Sequence, residues 1–303
     1  MPSGALDQTS RFTSISEYST LIYRLDSKAR KLSNTVYNEF YALVSDRQLP
    51  EDLIIDFIVL SQSALWKQRM VQEPVVANTN ASSPPPALIE SRMLAHVLAL
   101  HKCLLETGID QLKEPPPPDA AENDLAQSIT AIFRRTLPAL RIASKWLIAN
   151  YSYLMAHAAA DLKDAEDINV FWETFAHFAR ALSRAFPAKK LPSMAGPLDE
   201  DIEMRGFLPL QNMMEEDQAI SPKQDQVHPN VLQLMRISDL LKDSTALVKM
   251  EVCPEFQRSF FILMAASELS PCHLRKPFHA QRCRIHSGWF GETRRRSLAK
   301  CPC

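Results

Sequence analysis

The sequence predicts an all-α protein: antiparallel helical hairpins in a tetratricopeptide-like superhelix, with Pro-rich linkers and a disordered basic tail. Three observations carry this prediction. Apolar residues recur at spacings of three and four over long stretches, the period of a helix with one buried face, and no strand-like alternation stands out. Six glycines stand against 21 prolines, a balance that suits helices joined by Pro-rich linkers and not hairpins or tight βα turns, which draw on glycine. Hydrophobic residues make up 46% of the 303, enough for a real core. No clean repeat of about 34 residues is found, so the superhelix is inferred from the succession of hairpins alone.

The first helix is read from Ser14, with Ser14 or Ser16 as cap and Ile15, Tyr18, Leu21, Ile22, Leu25, Ala29, Leu32, Val36, Phe40 and Leu43 as its stripe. Pro50 opens a second helix that runs to about Val71, with Glu51 and Asp52 at the positive end of its dipole. These two are expected to form an antiparallel pair. Residues 74–86 form a polar, Pro-rich loop. A third helix follows from about Ala87 to Glu106, stopping near Gly108. The run Pro115–Pro118 makes 113–121 a stiff linker.

A further helix starts near Asn123 and should break or kink at Pro138, from which a new one runs to about Ala159. Asp164 is read as the cap of a helix to Phe186, whose face carries Ile168, Phe171, Trp172, Phe175, Phe178 and Leu182. Asn230–Val248 is another helix, and Glu255–Glu268 one more short one. Beyond Pro271 the apolar period is lost, and eight lysines and arginines face the single acid Glu292, which marks residues 271–303 as a disordered tail. The helical domain is therefore placed at 11–270.

The formal net charge is −1, so any nucleic-acid binding must use a local patch and not bulk charge. Neither a signal-peptide pattern nor a run of 18 apolar residues appears, which points to nucleus or cytoplasm and away from a membrane. Four of the six cysteines lie in the last 32 residues, but Cys272, His273, His279, Cys283 and His286 lack the paired spacing of a zinc site, so no metal and no other cofactor is expected. Phosphate-loop, nucleophile-elbow and zinc-protease motifs are all missing, and the carboxylates at 199–203 have no second cluster to share a pair of metals, so the chain is expected not to be an enzyme. His96 and His101 are read as core or rim residues.

Five segments then resemble one family in order and spacing. They are Arg11-Phe12-Thr13-Ser14-Ile15, the run Leu137–Leu147 (LPALRIASKWL), Phe171-Trp172 with Phe175, the acidic run Asp199-Glu200-Asp201-Ile202-Glu203 leading into Arg205-Gly206-Phe207-Leu208-Pro209-Leu210, and His228-Pro229-Asn230 continuing through Gln233–Asp243. Together they cover roughly residues 11 to 250, and they resemble the Est and SMG proteins of telomerase recruitment and nonsense-mediated mRNA decay, in a fungal, N-terminally truncated form. The resemblance implies an Est-type DNA/RNA-binding helical-hairpin domain. It does not extend to that family's 14-3-3-like or nuclease-like domains, so neither phosphopeptide recognition nor nuclease activity carries over.

The function expected on this basis is a non-catalytic scaffold that binds RNA or single-stranded telomeric DNA together with telomerase or mRNA-decay proteins. A purely protein-binding tetratricopeptide-like adaptor is the alternative. The candidate phosphate-contacting residues are Arg134, Arg135, Arg141 and Lys145, the last two sharing a helix face, extended by Arg180, Arg184, Lys189 and Lys190. Trp146, Phe171, Trp172 and Phe175 fall on Leu/Ile stripes and are read as core, not as base-stacking platforms. Arg205 is read as a local salt-bridge partner and Gly206 as the turn residue, with Phe207, Leu208 and Leu210 plugging a groove between helices. The whole segment 197–210 is read as an internal clamp joining the Trp146 and Phe171 helices to the 230–248 helix.

Overall fold

The computed structural model describes residues 6–71, 86–115, 124–194, 196–211 and 227–250. The expected loop at 74–86 and the linker at 113–121 fall mostly outside these residues. The helix expected at 255–268 and the basic Cys/His tail fall entirely outside them. Among the described residues there are eight α-helices and no strand: α1 (Leu6–Ser45), α2 (Glu51–Val71), α3 (Pro86–Gln111), α4 (Ala131–Ala149), α5 (Tyr151–Ala160), α6 (Leu162–Ala185), α7 (Asp199–Glu203) and α8 (Pro229–Lys249). Short 3₁₀ turns stand at Leu125–Ser128, Ala188–Lys190 and Leu208–Leu210.

Side-chain pairings order these helices into two layers. Arg92 reaches Asp26, His96 meets Ser33, and Glu106 and Asp110 take the hydroxyls of Tyr37 and Tyr41, so α1 and α3 run parallel. Ser91 pairs with Asp164, and Gly108 lies against Phe178, so α6 is parallel to α3 on its other side. In the second layer Arg134, Arg141 and Lys145 of α4 meet Asn230, Asp239 and Asp243 of α8, again in parallel. Arg69 of α2 reaches Asn150 just past the end of α4. The layers face each other antiparallel: Gln111 at the end of α3 accepts from Thr130 at the start of α4, while His101 lies edge-on to Trp146.

The core lies between these layers, with α4 at its centre. From Thr136 to Leu147 every α4 residue is buried except the half-buried Lys145. Pro138 sits inside this run and the helix does not break there. It forgoes the one bond that its missing N–H would make to the Arg134 carbonyl, a cost of about 3 kcal/mol in an exposed helix that packing on all sides offsets here. The break falls at Asn150 instead, where the backbone leaves helical geometry. The buried Asn150 amide donates to the Trp146 and Pro209 carbonyls, at 3.0 Å each, and its oxygen accepts from Arg69.

Other boundaries also move for local reasons. Ser14 and Ser16 lie inside α1, which begins at Leu6. Gly108 does not stop α3 but lies within it, because a Cβ there would meet the Phe178 ring at 2.7 Å. The close approach of α3 to α6 requires glycine at that position. The α6 cap is Asp161, whose carboxylate accepts the Lys163 and Asp164 amides, while Asp164 itself is buried and accepts the Ser91 hydroxyl at 2.6 Å. His228 caps α8 through Nδ1, with Pro229 in the first turn. No helix among the described residues is long and apolar enough to cross a membrane.

Candidate nucleic-acid interface

The acidic run at 199–203 folds as α7, and its middle points inward. Glu200 is 2% exposed and takes Arg141 Nη1 at 2.6 Å on one oxygen, with Arg236 Nε and Nη2 at 2.9 and 2.8 Å spread across both. Asp201, also buried, pairs with Arg141 and accepts the Leu198 amide, so α7 is closed at its own N-terminus by the same carboxylate. Arg141 completes its set on Asp239, at 2.8 and 3.0 Å. Lys145, one turn on, pairs with Asp239 and Asp243 at 3.0 and 2.7 Å. The segment therefore clamps α4 to α8 through buried charge.

Four carboxylates, Glu200, Asp201, Asp239 and Asp243, face three cations, Arg141, Lys145 and Arg236. Burial works against the Glu200 carboxylate, but Arg236 and Arg141 outweigh it and hold its pKa below the ordinary value. Asp239 is held down in the same way by Arg141 and Lys145. Asp243 goes the other way: burial outweighs Lys145 and raises it. Against their own burial, Arg141, Lys145 and Arg236 are held protonated by these carboxylates.

The expected basic surface therefore divides. Arg141 and Lys145 share a helix face, as their spacing predicts, but that face is the α4–α8 seam: their cationic groups are spent on carboxylates and are not open to phosphate. Arg134 is half-buried and bonded to Asn230 at 2.7 Å. Arg135 donates to the Arg47 carbonyl at 3.0 Å and so steadies the α1–α2 turn, where Arg47 has φ +60. Arg180 caps back onto the Ala176 carbonyl. Arg184, Lys189 and Lys190 are exposed, on the last turn of α6 and the 3₁₀ turn after it. Because Phe133 and Phe178 meet at a ring distance of 6.3 Å, Arg134 and Arg180 beside them lie at one end of the bundle, the end at which Arg184 and the two lysines project.

The aromatic markers pack as core. Trp146, Phe171, Trp172 and Phe175 are all buried, and His101 stands edge-on to Trp146. Burial pushes the His101 imidazole down to about 3, so it is neutral, and Gln62 lies 3.1 Å from its Nε2. In the Arg205–Leu210 turn, Gly206 takes φ +72, the conformation that glycine alone adopts freely. Arg205 is exposed, Phe207 half-buried, and Pro209 and Leu210 buried against the core. Leu208, expected to plug a groove, is instead 58% exposed, because the 3₁₀ turn aims only its neighbours inward. The buried charges of the clamp bond to α4 and α8.

Residues 67–213 match the model of the Est1 DNA/RNA binding domain. That stretch belongs to the Est1 DNA/RNA binding domain family. The matched stretch holds Arg141, the aromatic markers and the α7 clamp, whereas α8, which supplies Arg236, Asp239 and Asp243, lies beyond it. No curated protein and no solved structure gives a significant match.

Sequence reasoning missed Asp239, Asp243 and Arg236 as partners of this domain, and Asn150 as its pivot. One signal was present: Arg141 and Lys145 at i, i+4 on α4 mirror Asp239 and Asp243 at i, i+4 on α8, in complementary sign on largely apolar helices. Among the described residues no group of three His, Cys, Asp or Glu side chains is arranged to hold a metal.

Proposed function

We propose that the chain is a non-catalytic scaffold that binds RNA or single-stranded telomeric DNA together with telomerase or mRNA-decay proteins, in the nucleus or cytoplasm. The observation that carries this reading is the Est1 DNA/RNA binding domain match over 67–213. Within that domain the phosphate-contacting surface is Arg184, Lys189 and Lys190, with Arg180 and Arg134 behind them. These exposed cations can meet a backbone without breaking a core ion pair, unlike Arg141 and Lys145.

The test is fluorescence anisotropy with labelled single-stranded RNA and telomeric DNA across a salt series. Three phosphate contacts give a slope of log K on log salt of about −2 for a single strand. Reversing Arg184, Lys189 and Lys190 to Glu should remove most of that slope and weaken binding at least about tenfold. Binding that is absent at about 50 mM salt, where such contacts are strongest, would overturn the reading in favour of a purely protein-binding adaptor. Binding indifferent to the triple reversal would move the surface elsewhere.

A further inference from the structure

The face of the molecule formed by α1, α3 and α6 carries a groove that the nucleic-acid reading does not use. α3, with Ser61 and Ala64 of α2, is its floor, and α1 and α6 are its walls. Two adjoining cavities, of about 870 and 640 Å³, share Tyr37 and follow α3 from Leu88 to its end, with Lys113 in the turn beyond. At 1.5 Å per residue the helical part of that path is about 35 Å, a little over six turns. Arg30 and Asp167 pair across one end at 3.9 Å.

The two halves differ in chemistry. The half beside the start of α3 presents mostly apolar surface, its cations Arg30, Arg92 and Lys102 being paired with Asp167, Asp26 and Glu106, and its lips leave Leu32 64% and Val170 43% exposed. The half beside the end of α3 is lined by Glu106, Asp110 and Glu173; Lys113 pairs with Asp110 at 2.7 Å and Lys102 reaches Glu106 at 3.5 Å, which leaves the lining net negative with Glu173 as its exposed acid. Glu106 and Asp110 are held in place by the hydroxyls of Tyr37 and Tyr41, while Glu173 is exposed on α6. A nucleic-acid backbone is repelled by the second half and finds the cations of the first already paired with carboxylates. The match is a protein segment with apolar side chains at one end and lysines or arginines at the other, lying along α3 as an amphipathic helix lies in an apolar groove.

We propose that this groove is a docking site for a partner protein's amphipathic helix, its apolar residues seated between Leu32 and Val170 and its basic residues over Glu106, Asp110 and Glu173. Apolar burial supplies affinity, and the acidic half fixes direction by rejecting the reversed or acidic peptide.

The test uses the full chain and a synthetic fluorescent peptide with leucines at heptad a and d positions followed by a Lys-Lys-Arg-Lys tail. A control peptide carries glutamates in the tail. The basic peptide should bind at least about tenfold more tightly than the control, a difference of 1.4 kcal/mol. Val170→Asp should weaken the basic peptide about tenfold, and Glu173→Lys should shrink the preference between the two tails. Both positions are exposed enough for the fold to survive, which circular dichroism checks. Failure of the basic peptide to bind, equal binding of the two tails, binding unchanged by Val170→Asp, or displacement of the peptide by single-stranded RNA would each overturn the proposal.

Discussion

The α4–α8 seam and the packing of α6 on α3 and α4 are buried to a similar degree and are built from opposite chemistry. In the first, Arg141, Arg236 and Lys145 meet Glu200, Asp201, Asp239 and Asp243. In the second, Phe171, Trp172 and Phe175 pack edge-on and tilted against one another, Phe171 meets His101, and Phe178 meets Phe133 edge-on. Aromatic burial follows apolar area and carries no charge, but the neutral His101 within it, held down to about 3, makes this region lose stability as pH falls below the unfolded histidine value of about 6.5. A buried ion network stabilises little by itself, because desolvation offsets most of the attraction, but it penalises every register that leaves one charge alone. The contrast assigns adhesion to the aromatic packing and the position of α7 and α8 to the charged seam.

Glu200→Ala should have the largest effect. It removes the acceptor shared by Arg141 and Arg236 and leaves two buried guanidiniums short of a partner, a loss of about 3–5 kcal/mol in urea unfolding. Glu200→Gln keeps the volume and should lose nearly as much. The pH windows separate the two regions, His101 acting as pH falls from about 6.5 towards 3 and the seam carboxylates only below about 4. Glu200 and Asp239 have folded pKa values below their unfolded ones, so their contribution is present above the unfolded carboxylate value of about 4 and is lost as pH falls through the lower folded value. Asp243, raised by burial, acts in the opposite sense and partly cancels this. Melting temperature should therefore fall on acidification in the wild type, and fall less steeply in Glu200→Ala. An identical pH slope in both would dissociate the network from acid stability.

Gly108→Ala probes the aromatic region and should come second. Its Cβ would meet Phe178 Cε2 at 2.7 Å and Phe133 Cε2 at 3.3 Å, so the two helices must part or the ring must leave its rotamer, at about 1–3 kcal/mol. The loss should be independent of pH, in contrast to the charged seam. A neutral or stabilising Gly108→Ala would show that Phe178 has room to move and that the α3–α6 packing is looser than its geometry implies.

How much of this was legible in the sequence follows the same division. The aromatic packing was readable because apolar period reports one-sided burial directly: Trp146, Phe171, Trp172 and Phe175 lie where their spacing places them. The charged seam was not, since a charged residue on a helix reads by default as solvent-facing, and only its partner on a helix about 100 positions away reverses that reading. Arg141 was accordingly expected at a phosphate surface, and it lies 2% exposed. Pro138 misled for a related reason, since its helix-breaking cost is fixed by local geometry while the packing that offsets it is tertiary. Gly206 was legible because a positive φ is a local demand, whereas Gly108 was not, because its demand comes from Phe178 on another helix.

Thr130→Ala should have the smallest effect and be the most informative about coupling. Its hydroxyl accepts the Phe133 amide at 3.1 Å and donates to Gln111 at 2.7 Å, so it caps α4 and ties α4 to α3 at the one end where both regions share a helix. Loss of such a cap costs about 1 kcal/mol, and Thr130→Ser should restore most of it. The double variant Thr130→Ala with Glu200→Ala then measures whether the regions communicate through α4. If α4 is a rigid rod between independent contacts, the two losses add to within about 0.5 kcal/mol. A larger departure would mean that fraying the first turn of α4 already shifts Arg141, so that the charged seam depends on a cap lying three helical turns away from it.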